Sequence, residues 1–237
     1  MSSVPDLKES LRRRDSAVGD GNGSARGVAA LLHSFTDGRS KPKPKEQEVL
    51  DVATDYFLAH GYQGASINAM ARSSGISKES IYRYFSSKKQ LFEAVIGREL
   101  AEYQTAVRRL SAEKTMDLRE ALINIAETVL AIATTDRTLA LRRLIFEEAR
   151  RSPDVGQHYY KIGPEYAFAA VEEIFRSHQA ESEFEPATLS RHFLALVAYR
   201  PILERECALR PSLSRGEIRE RVESIVADFM QAFLKAK

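Results

Sequence analysis

The chain has little cysteine and no long apolar run. Its single cysteine, Cys207, excludes a framework of internal disulfide bonds. No apolar run approaches the roughly 18–20 residues that a membrane-spanning helix needs, and the first residues lack the apolar core of a signal peptide. We therefore expect a cytoplasmic protein without a membrane partner. Cys207 lies in an apolar helical stretch, which favours an inert core or interface thiol over a redox sensor.

Residue patterns typical of enzymes are also missing. No glycine-rich phosphate loop follows a predicted strand. The five histidines form no i, i+4 pair and no HExxH motif that would bind zinc. Adjacent acidic residues such as Glu147 and Glu148 diverge on a helix instead of converging on a substrate. We therefore expect no catalysis, no cofactor and no metal.

The positive charge of the chain is concentrated in one stretch, although the formal net charge of its 237 residues is only +2. Between positions 61 and 90 the single acidic residue is Glu79. The basic residues of the same stretch are Arg72, Lys78, Arg83, Lys88 and Lys89. A local excess of cations of this kind favours a polyanionic partner.

Residues 1–44 differ in composition from the rest and are interpreted as a flexible basic extension. GDGNGSARG is typical of a flexible linker, and GRSKPKPK is a basic strip that proline keeps from continuing as a helix. GDGNG lacks the later acidic ligand of a calcium loop. The strip either follows a phosphate backbone or minor groove, as homeodomain arms do, or is a solvated tail.

From Glu46 onward the apolar periodicity is helical, and no stretch alternates as a strand. Ser66 and Ser77 are predicted to cap short helices, and S-x-x-Q or S-x-x-E capping boxes are predicted at Ser87 and Ser214. Pro201 is expected to kink or cut its helix. The predicted helices cover about 46–61, 67–74, 78–85, 87–110, 118–134, 137–151, a segment to about 180 that is broken near Pro153 and Pro164, 186–209 and 214–235.

Residues 66–92 have the spacing of a helix-turn-helix. Ala71 is followed four residues later by Gly75 and six further on by Ile81. The small residue allows two crossing helices to approach, and the glycine accepts a positive φ in the turn. The outward residues of the second helix are charged, hydroxylated or aromatic, which suits a DNA groove and its phosphates. The alternative is a surface hairpin with a solvated basic face.

Residues 45–100 resemble the DNA-binding domain of the TetR/AcrR family of transcriptional regulators. The resemblance rests on HGYQGASINAMA followed by SSGISKESIYRYFSSKKQLFEAV. One departure is Glu79, where many members have glycine or another small residue. A carboxylate there either accepts a hydrogen bond from a cytosine amine or repels a phosphate.

The resemblance implies an all-α fold of about nine helices. A three-helix N-terminal helix-turn-helix domain would bind DNA, and a larger C-terminal helical domain would bind a ligand and dimerise. The corresponding division of the chain is residues 1–44 for the extension, 45–90 for the DNA-binding domain and 91–237 for the effector-binding and dimerisation domain.

Motif position and side-chain chemistry assign the DNA contacts. Lys78 and Ser80 are assigned to base edges, with Asn68 as a weaker candidate. The resemblance implies phosphate contacts for Tyr82, Tyr84 and Lys88, while Arg83 suits either class. The complete predicted set is Ser66, Asn68, Ser77, Lys78, Ser80, Tyr82, Arg83, Tyr84 and Lys88. For Arg72 and Lys89 a solvated side chain is an equal alternative.

The expected function is that of a transcriptional regulator that binds a palindromic operator as a homodimer. Repression is the commoner outcome in the family, so a repressor is expected. The resemblance places the dimer interface in helices 187–209 and 214–235, whose apolar stripes otherwise form intrachain core. An unidentified small effector is expected to release the operator. Aromatic residues that could surround it, each also suited to ordinary core, are Tyr103, Phe146, Tyr159, Tyr160, Tyr166 and Phe168. The alternative function is a helical adaptor that binds proteins through its basic face.

Overall fold

The computed structural model describes residues 44–113 and 115–235, and within them the chain forms ten helices and no strand. The helices are α1 (Pro44–Gly64), α2 (Ile67–Ser74), α3 (Lys78–Tyr84), α4 (Lys88–Ala112), α5 (Leu118–Ala133), α6 (Asp136–Ala149), α7 (Pro153–Ile162), α8 (Pro164–Ser177), α9 (Pro186–Glu206) and α10 (Arg215–Phe233). The all-α prediction is confirmed. The segment broken near Pro153 and Pro164 is two helices, α7 and α8, which meet at Gly163. The predictions for residues 1–43 lie outside the described residues.

The predicted serine caps are present at the starts of the helices. The side chains of Ser66 and Ser77 accept hydrogen bonds from the backbone N–H groups three residues later, and Ser214 forms a full capping box with Glu217. The box predicted at Ser87 is incomplete. Its hydroxyl caps α4, but the side-chain oxygen of Gln90 accepts from the backbone N–H of Ser86, 2.6 Å away, instead of from Ser87.

Two glycines with positive φ shape the N-terminal helices. Gly61, with φ 72°, interrupts α1 at its predicted end, and one further turn follows to Gly64. Gly75, with φ 74°, ends α2 in the left-handed conformation and turns the chain toward α3. An L-residue with a side chain is strained at such a φ, so both positions favour glycine.

Helices α1–α3, which we call the head, pack on the start of α4 around an apolar core. Phe57, Met70, Ile81 and Leu91 are fully buried. Phe57 of α1 meets Phe92 of α4 edge to face with their ring centroids 4.9 Å apart. Buried aromatic pairs in this geometry stabilise a fold beyond their buried area.

Helices α4–α10, which we call the body, share one continuous core with the head. Helix α4 packs on α1 at one end and on α5, α7 and α8 further along. Helix α9 packs mainly on α8, and α10 on α5. Pro201 is buried inside α9, which continues through it to Glu206. Of the two expectations for this proline, the cut is therefore wrong, and the kink stays a prediction. None of the described helices has the length and apolar content of a bilayer-spanning segment.

Most apolar residues of α9 and α10 that were expected at a dimer interface are buried within the single chain. The buried ones are Phe193, Leu194, Val197, Ile218, Val222, Val226 and Phe229. The interface prediction is wrong for these residues because α9 and α10 direct them against α5 and α8. Leu196 and Leu203 are exposed, and so is Tyr199, which lies between them on α9.

Three further side chains are not core residues. Phe146 and Tyr160, expected either to surround an effector or to form core, are 57% and 53% exposed, so the core alternative is wrong for both. Both side chains lie largely in solvent, although the Phe146 ring of α6 meets the Tyr159 ring of α7 edge to face with the centroids 6.2 Å apart. Cys207 is exposed too, because it follows the last residue of α9 and lies outside the apolar stripe of that helix. It is therefore not a core thiol, and its place at an interface stays a prediction.

An ionic network joins α1, α4 and α6. Arg137, in the first turn of α6, makes two hydrogen bonds of 2.6 and 3.0 Å with the carboxylate of Glu99 in α4. Arg98 bonds Asp51 and Thr54 of α1, each at 2.6 Å. Burial raises the pKa of the Glu99 carboxyl, but the hydrogen bonds and charges of Arg137 and Arg98 outweigh it, and the net pKa is lowered.

The turn glycine and a helical glycine provide a matched pair of substitutions. Gly75→Ala should lower the free energy of unfolding by about 1 kcal/mol, because alanine is strained at this positive φ. Gly97→Ala, in mid-α4 with open space at its Cβ, should raise it by about 0.5–1 kcal/mol through helix propensity. Urea unfolding followed by circular dichroism measures both. Equal effects of the same sign would contradict the assignment of Gly75 to a left-handed turn.

The ion pairs of Glu99 should make stability depend on acid pH. Because its folded pKa is below the ordinary value of 4.5, the stabilisation is complete above that pH and is lost as the pH falls through the folded pKa. The difference in unfolding free energy between the wild type and Glu99→Gln should therefore shrink below about pH 4.5. Glu102→Gln, an exposed change on the same helix, is the control and should show no such shrinkage.

Candidate nucleic-acid interface

Helices α2 and α3 form the predicted helix-turn-helix, and α3 presents one face to solvent. Ile81 of α3 is fully buried against the head core, which fixes the rotation of the helix about its axis. The opposite face carries Lys78, Glu79, Tyr82 and Arg83, all exposed. An exposed helix face that carries charged and hydrogen-bonding side chains has the dimensions and chemistry to enter a DNA groove.

Lys78 and Tyr82 are neighbours on this face. The Lys78 ammonium lies 5.6 Å from the centroid of the Tyr82 ring, within the range of a cation–π contact. Tyr82 is 46% exposed, unusually open for an aromatic side chain. The contact holds the cation and the phenol side by side on the outer surface of α3.

The three predicted serines differ in whether their hydroxyl proton already makes a hydrogen bond. The Ser77 hydroxyl accepts from the Ser80 backbone N–H at 3.1 Å and donates to the Ser80 hydroxyl at 3.0 Å. Its single proton is therefore in use, whereas that of Ser80 is still available to donate. The Ser66 hydroxyl accepts from the Ala69 N–H at 3.1 Å and also retains its proton.

Asn68 and Tyr84 lie on either side of this surface. Asn68 is exposed on α2, and its side chain makes no hydrogen bond to any described residue. Tyr84 is half-buried against the core beside Phe85, with ring centroids 6.4 Å apart. The packed ring restricts the direction in which its hydroxyl can reach.

Lys88 has a structural role that the sequence did not indicate. Its ammonium donates to the carbonyl oxygens of Tyr62 and Ala65, at 2.9 and 3.0 Å, and lies 4.4 Å from the Tyr62 ring centroid. It therefore holds the end of α1 against the start of α4. An ammonium has three N–H donors, so one is left for a phosphate.

Arg72 and Lys89, for which two interpretations were open, differ in their surroundings. Lys89 forms an ion pair with Asp154 in the first turn of α7, and its ammonium lies 3.8 Å from Glu93. It is thus directed toward the body. Arg72 is exposed at the end of α2 and has no partner among the described residues.

The exposed cations of α2 and α3 are unpaired, whereas many arginines of the body form ion pairs. Within the described part of the chain, Arg72, Lys78 and Arg83 form no ion pair. In the body, Arg143 binds Glu206 at 2.7 Å and Arg219 binds Glu223 at 2.6 Å. The unpaired cations therefore produce a local positive field on the α2–α3 surface.

The effector candidates inside the body participate in structural contacts. Burial, together with the nearby Tyr159 and Tyr166 hydroxyls, raises the pKa of the Tyr103 hydroxyl. The Tyr166 hydroxyl donates to the Gln104 carbonyl at 3.3 Å, and the Tyr159 hydroxyl accepts from Arg142 at 3.3 Å. Among the described residues, no three side chains form a cluster suited to a metal ion.

A groove of about 570 Å³ lies between α6 and the end of α9. Leu139, Leu209 and Pro211 contribute apolar surface to it. Its arginines are engaged, Arg143 with Glu206 and Arg205 with Asp136. The groove is therefore amphipathic, without a free cation at these two positions for an anion.

Sequence reasoning missed the contacts between the head and the body. The Gln63 side-chain amide donates to the Glu148 carboxylate at 2.6 Å, across 85 positions of sequence. Nothing in the local pattern around either residue indicates the other. In the sequence, Glu148 is recognised only as an acidic residue next to Glu147. Its burial could not be predicted, because it depends on how α6 packs on α1.

The sequence matches models of one family over both halves of the chain. A model of bacterial regulatory proteins of the tetR family matches residues 49–95. A model of the C-terminal domain of AefR-like transcriptional repressors matches residues 120–235. The first match contains the helix-turn-helix, and the second begins within α5 and extends beyond α10.

Individual proteins of the same family are also similar to this chain. The HTH-type transcriptional repressor Rv1474c of Mycobacterium tuberculosis is 28% identical over 155 residues, which are 65% of this chain and 78% of that protein. The flavonoid-responsive regulator FrrA has a solved structure that is 28% identical, with a TM-score of 0.67, covering 81% of this chain and 98% of that one.

A TetR-family transcriptional regulator from Mesorhizobium loti shares the fold. Its TM-score is 0.70 at 23% identity, covering 83% of this chain and 100% of that one. The two family models, the relatives and the helix-turn-helix geometry all point to the same function. The chain belongs to the TetR family of DNA-binding transcriptional regulators, which are not enzymes.

Proposed function

We propose that the protein is a repressor that binds a palindromic operator as a homodimer and is released by a small-molecule effector. The observation that carries the proposal is the exposed face of α3, where Lys78 and Arg83 have no carboxylate partner among the described residues and Tyr82 is open to solvent. Residues 45–90 would be the DNA-binding unit and 91–237 the unit for the effector and the dimer, with 1–44 as an extension.

Lys78, Ser80 and Asn68 would contact base edges. Ser66, Tyr82, Tyr84 and Lys88 would contact phosphates, with Arg83 suited to either, while Ser77 would hold the start of α3 in place. Phosphate contacts fix the register on the duplex, and base contacts select the sequence. A single helix-turn-helix contacts few base pairs. A two-fold dimer contacts two half-sites, and its symmetry matches that of a palindromic operator.

The dimer interface would include the exposed face of α9. Leu196, Tyr199 and Leu203 are 49%, 70% and 45% exposed and lie at helical spacing on one side of this helix. Three large apolar side chains exposed together favour a protein contact over solvent. Their helix packs on α8 through its opposite face, so the exposed face is available to a second copy.

The effector would be an apolar or amphipathic small molecule bound in the body. Support comes from FrrA, whose name describes it as flavonoid-responsive, and from the buried tyrosines of α4 and α8. A ligand releases the operator only if it binds one separation of the two heads better than another. A broad metabolite screen for loss of operator binding tests this. A protein unaffected by every compound would be a constitutive binder.

Selection from a random library of duplexes, with the region upstream of the protein's own gene included, tests operator recognition. Log affinity should fall linearly with log salt concentration as counterions leave the phosphates. The selected sequences should be palindromes. The adaptor alternative instead requires that no duplex is retained at low salt.

Substitutions of two lysines should separate base recognition from phosphate binding. Lys88→Ala should weaken binding to all sequences alike and reduce the salt slope by about 1. Lys78→Ala should cost about 1–3 kcal/mol and also relax base preference. Titrations of selected and scrambled duplexes measure both effects.

Arg109→Ala is the control for these lysines, because this exposed cation lies about 30 Å along α4 from Lys88 and should leave binding unchanged. Because Lys88 also bonds two carbonyl groups, circular dichroism must show that its variant is folded. Identical sequence profiles for the two lysine variants would contradict the division of roles.

A charge on the α9 face should break the dimer. Leu196→Glu should give a monomer at micromolar concentration, because a carboxylate pair would be desolvated at the interface. Tyr160→Glu, at an exposed aromatic position on α7, should remain dimeric. Analytical ultracentrifugation measures the mass, and operator titration should show loss of cooperative two-site binding. A dimeric Leu196→Glu protein would place the interface elsewhere.

A further inference from the structure

The carboxylate of Glu148 occupies an unusual position at the end of α6. The residue is only 3% exposed. One carboxylate oxygen accepts from the Gln63 amide at 2.6 Å, and the other accepts from the Ser152 hydroxyl at 2.7 Å. Within the described part of the chain the carboxylate forms no ion pair. Both oxygens are therefore satisfied by neutral donors.

Stability alone does not explain a carboxylate at this position. Burial of a charge costs free energy that neutral hydrogen bonds only partly offset, and an apolar residue of similar size is often as good or better. The C-terminal end of a helix also carries a partial negative charge, which disfavours an anion in its last turn. The Glu148 carboxylate instead provides two acceptor oxygens, which bind two separate donors.

The two donors belong to different parts of the molecule. Ser152 precedes α7 in the body, whereas Gln63 lies in the last turn of α1, just after the kink at Gly61. The carbonyls of Tyr62 and Ala65 on either side of Gln63 are held by Lys88. Ser66 then begins α2. Gln63 is thus fixed within the segment that leads into the helix-turn-helix.

Beside the Gln63–Glu148 bond lies a polar link within the body, between α4 and α7. Lys89, next to Lys88, forms an ion pair with Asp154 at the start of α7. At the other end of α6, Arg137 binds Glu99 and lies 3.8 Å from Asp55 of α1. Helix α6 is therefore joined to the head side at both of its ends. Rotation of the head on the body would have to break the Gln63–Glu148 bond.

We propose that Glu148 is a positioning residue for operator recognition, because its carboxylate fixes the angle at which the head meets the body. The inference rests on the proposed function as a dimeric DNA-binding protein. In a dimer, that angle sets the distance between the two recognition helices. The distance in turn determines which spacing of half-sites binds best. Without the bond, the heads would sample several separations, and the preference for one spacing would weaken.

The test compares duplexes whose half-site spacing differs by one or two base pairs from the operator that the wild type selects. Glu148→Ala should lower affinity for the optimal spacing about tenfold, the value of one lost hydrogen bond to a charged group. Affinity for the altered spacings should change less, so the profile becomes flat. Gln63→Ala, an exposed change on the head side, should reproduce the flat profile, and the double variant should add nothing further.

Two further variants separate positioning from general stability. Glu148→Gln should keep the spacing optimum, since its amide oxygen can still accept from Gln63 and its amide nitrogen can donate to Ser152. Glu147→Ala is the control, because this neighbouring carboxylate is exposed and lies 3.7 Å from Arg151, two residues beyond the end of α6. It should leave the profile unchanged. Thermal unfolding of each variant shows whether it is folded.

The outcomes are distinct. An equal loss of affinity at every spacing, or an unchanged profile in either Glu148→Ala or Gln63→Ala, would overturn the inference. If Glu148→Ala does not fold, Gln63→Ala decides alone. A wild-type protein that binds no duplex would overturn the proposed function itself and this inference with it. A wild-type spacing optimum that survives in Gln63→Ala would overturn the inference only.

Discussion

The bond between the Lys88 ammonium and the carbonyls of Tyr62 and Ala65 is the contact on which the position of the helix-turn-helix depends. Helix α1 ends at Gly64, so the carbonyl groups around its end lack regular i+4 helical partners. A cation at the start of α4 satisfies two of them and covers the Tyr62 ring. The chain then leaves this point for α2 in a defined direction, and the aromatic contacts of Phe92 with Phe57 and Tyr62 support the same corner.

The distribution of ion pairs distinguishes the two parts of the molecule more clearly than the overall charge does. Within the described residues, the body engages many of its arginines with carboxylates, and Glu204 alone meets Arg200, Arg210 and Arg221. The exposed cations of α2 and α3 lack such partners. Surface ion pairs contribute little stability individually, but they neutralise the local field. The cations of the α2–α3 surface consequently remain available to a polyanion.

Local features of the fold could be predicted from the sequence, whereas contacts between distant segments could not. The caps at Ser66, Ser77 and Ser214 and the turn at Gly75 depend on neighbouring residues, so their patterns identify them. The burial of Phe193 and Val226 depends on which face of α9 or α10 meets α5 and α8. A helical stripe does not reveal whether its partner is in the same chain or in a second one. The Gln63–Glu148 bond joins segments too far apart in sequence for any local signal.

The same distinction between local features and distant contacts applies to the candidate DNA-binding residues. The exposed residues of α3 were identified by motif, because the buried Ile81 and the solvent-facing residues alternate in a short helix. Lys88 was assigned a phosphate role with no sign of its two carbonyl partners. Those partners already restrict its four side-chain torsions before any DNA arrives. An unrestrained lysine loses rotamer entropy equivalent to up to about 2 kcal/mol when it is immobilised. A phosphate at the third N–H of Lys88 would meet an ordered ammonium, so little of that entropic penalty would remain for complex formation.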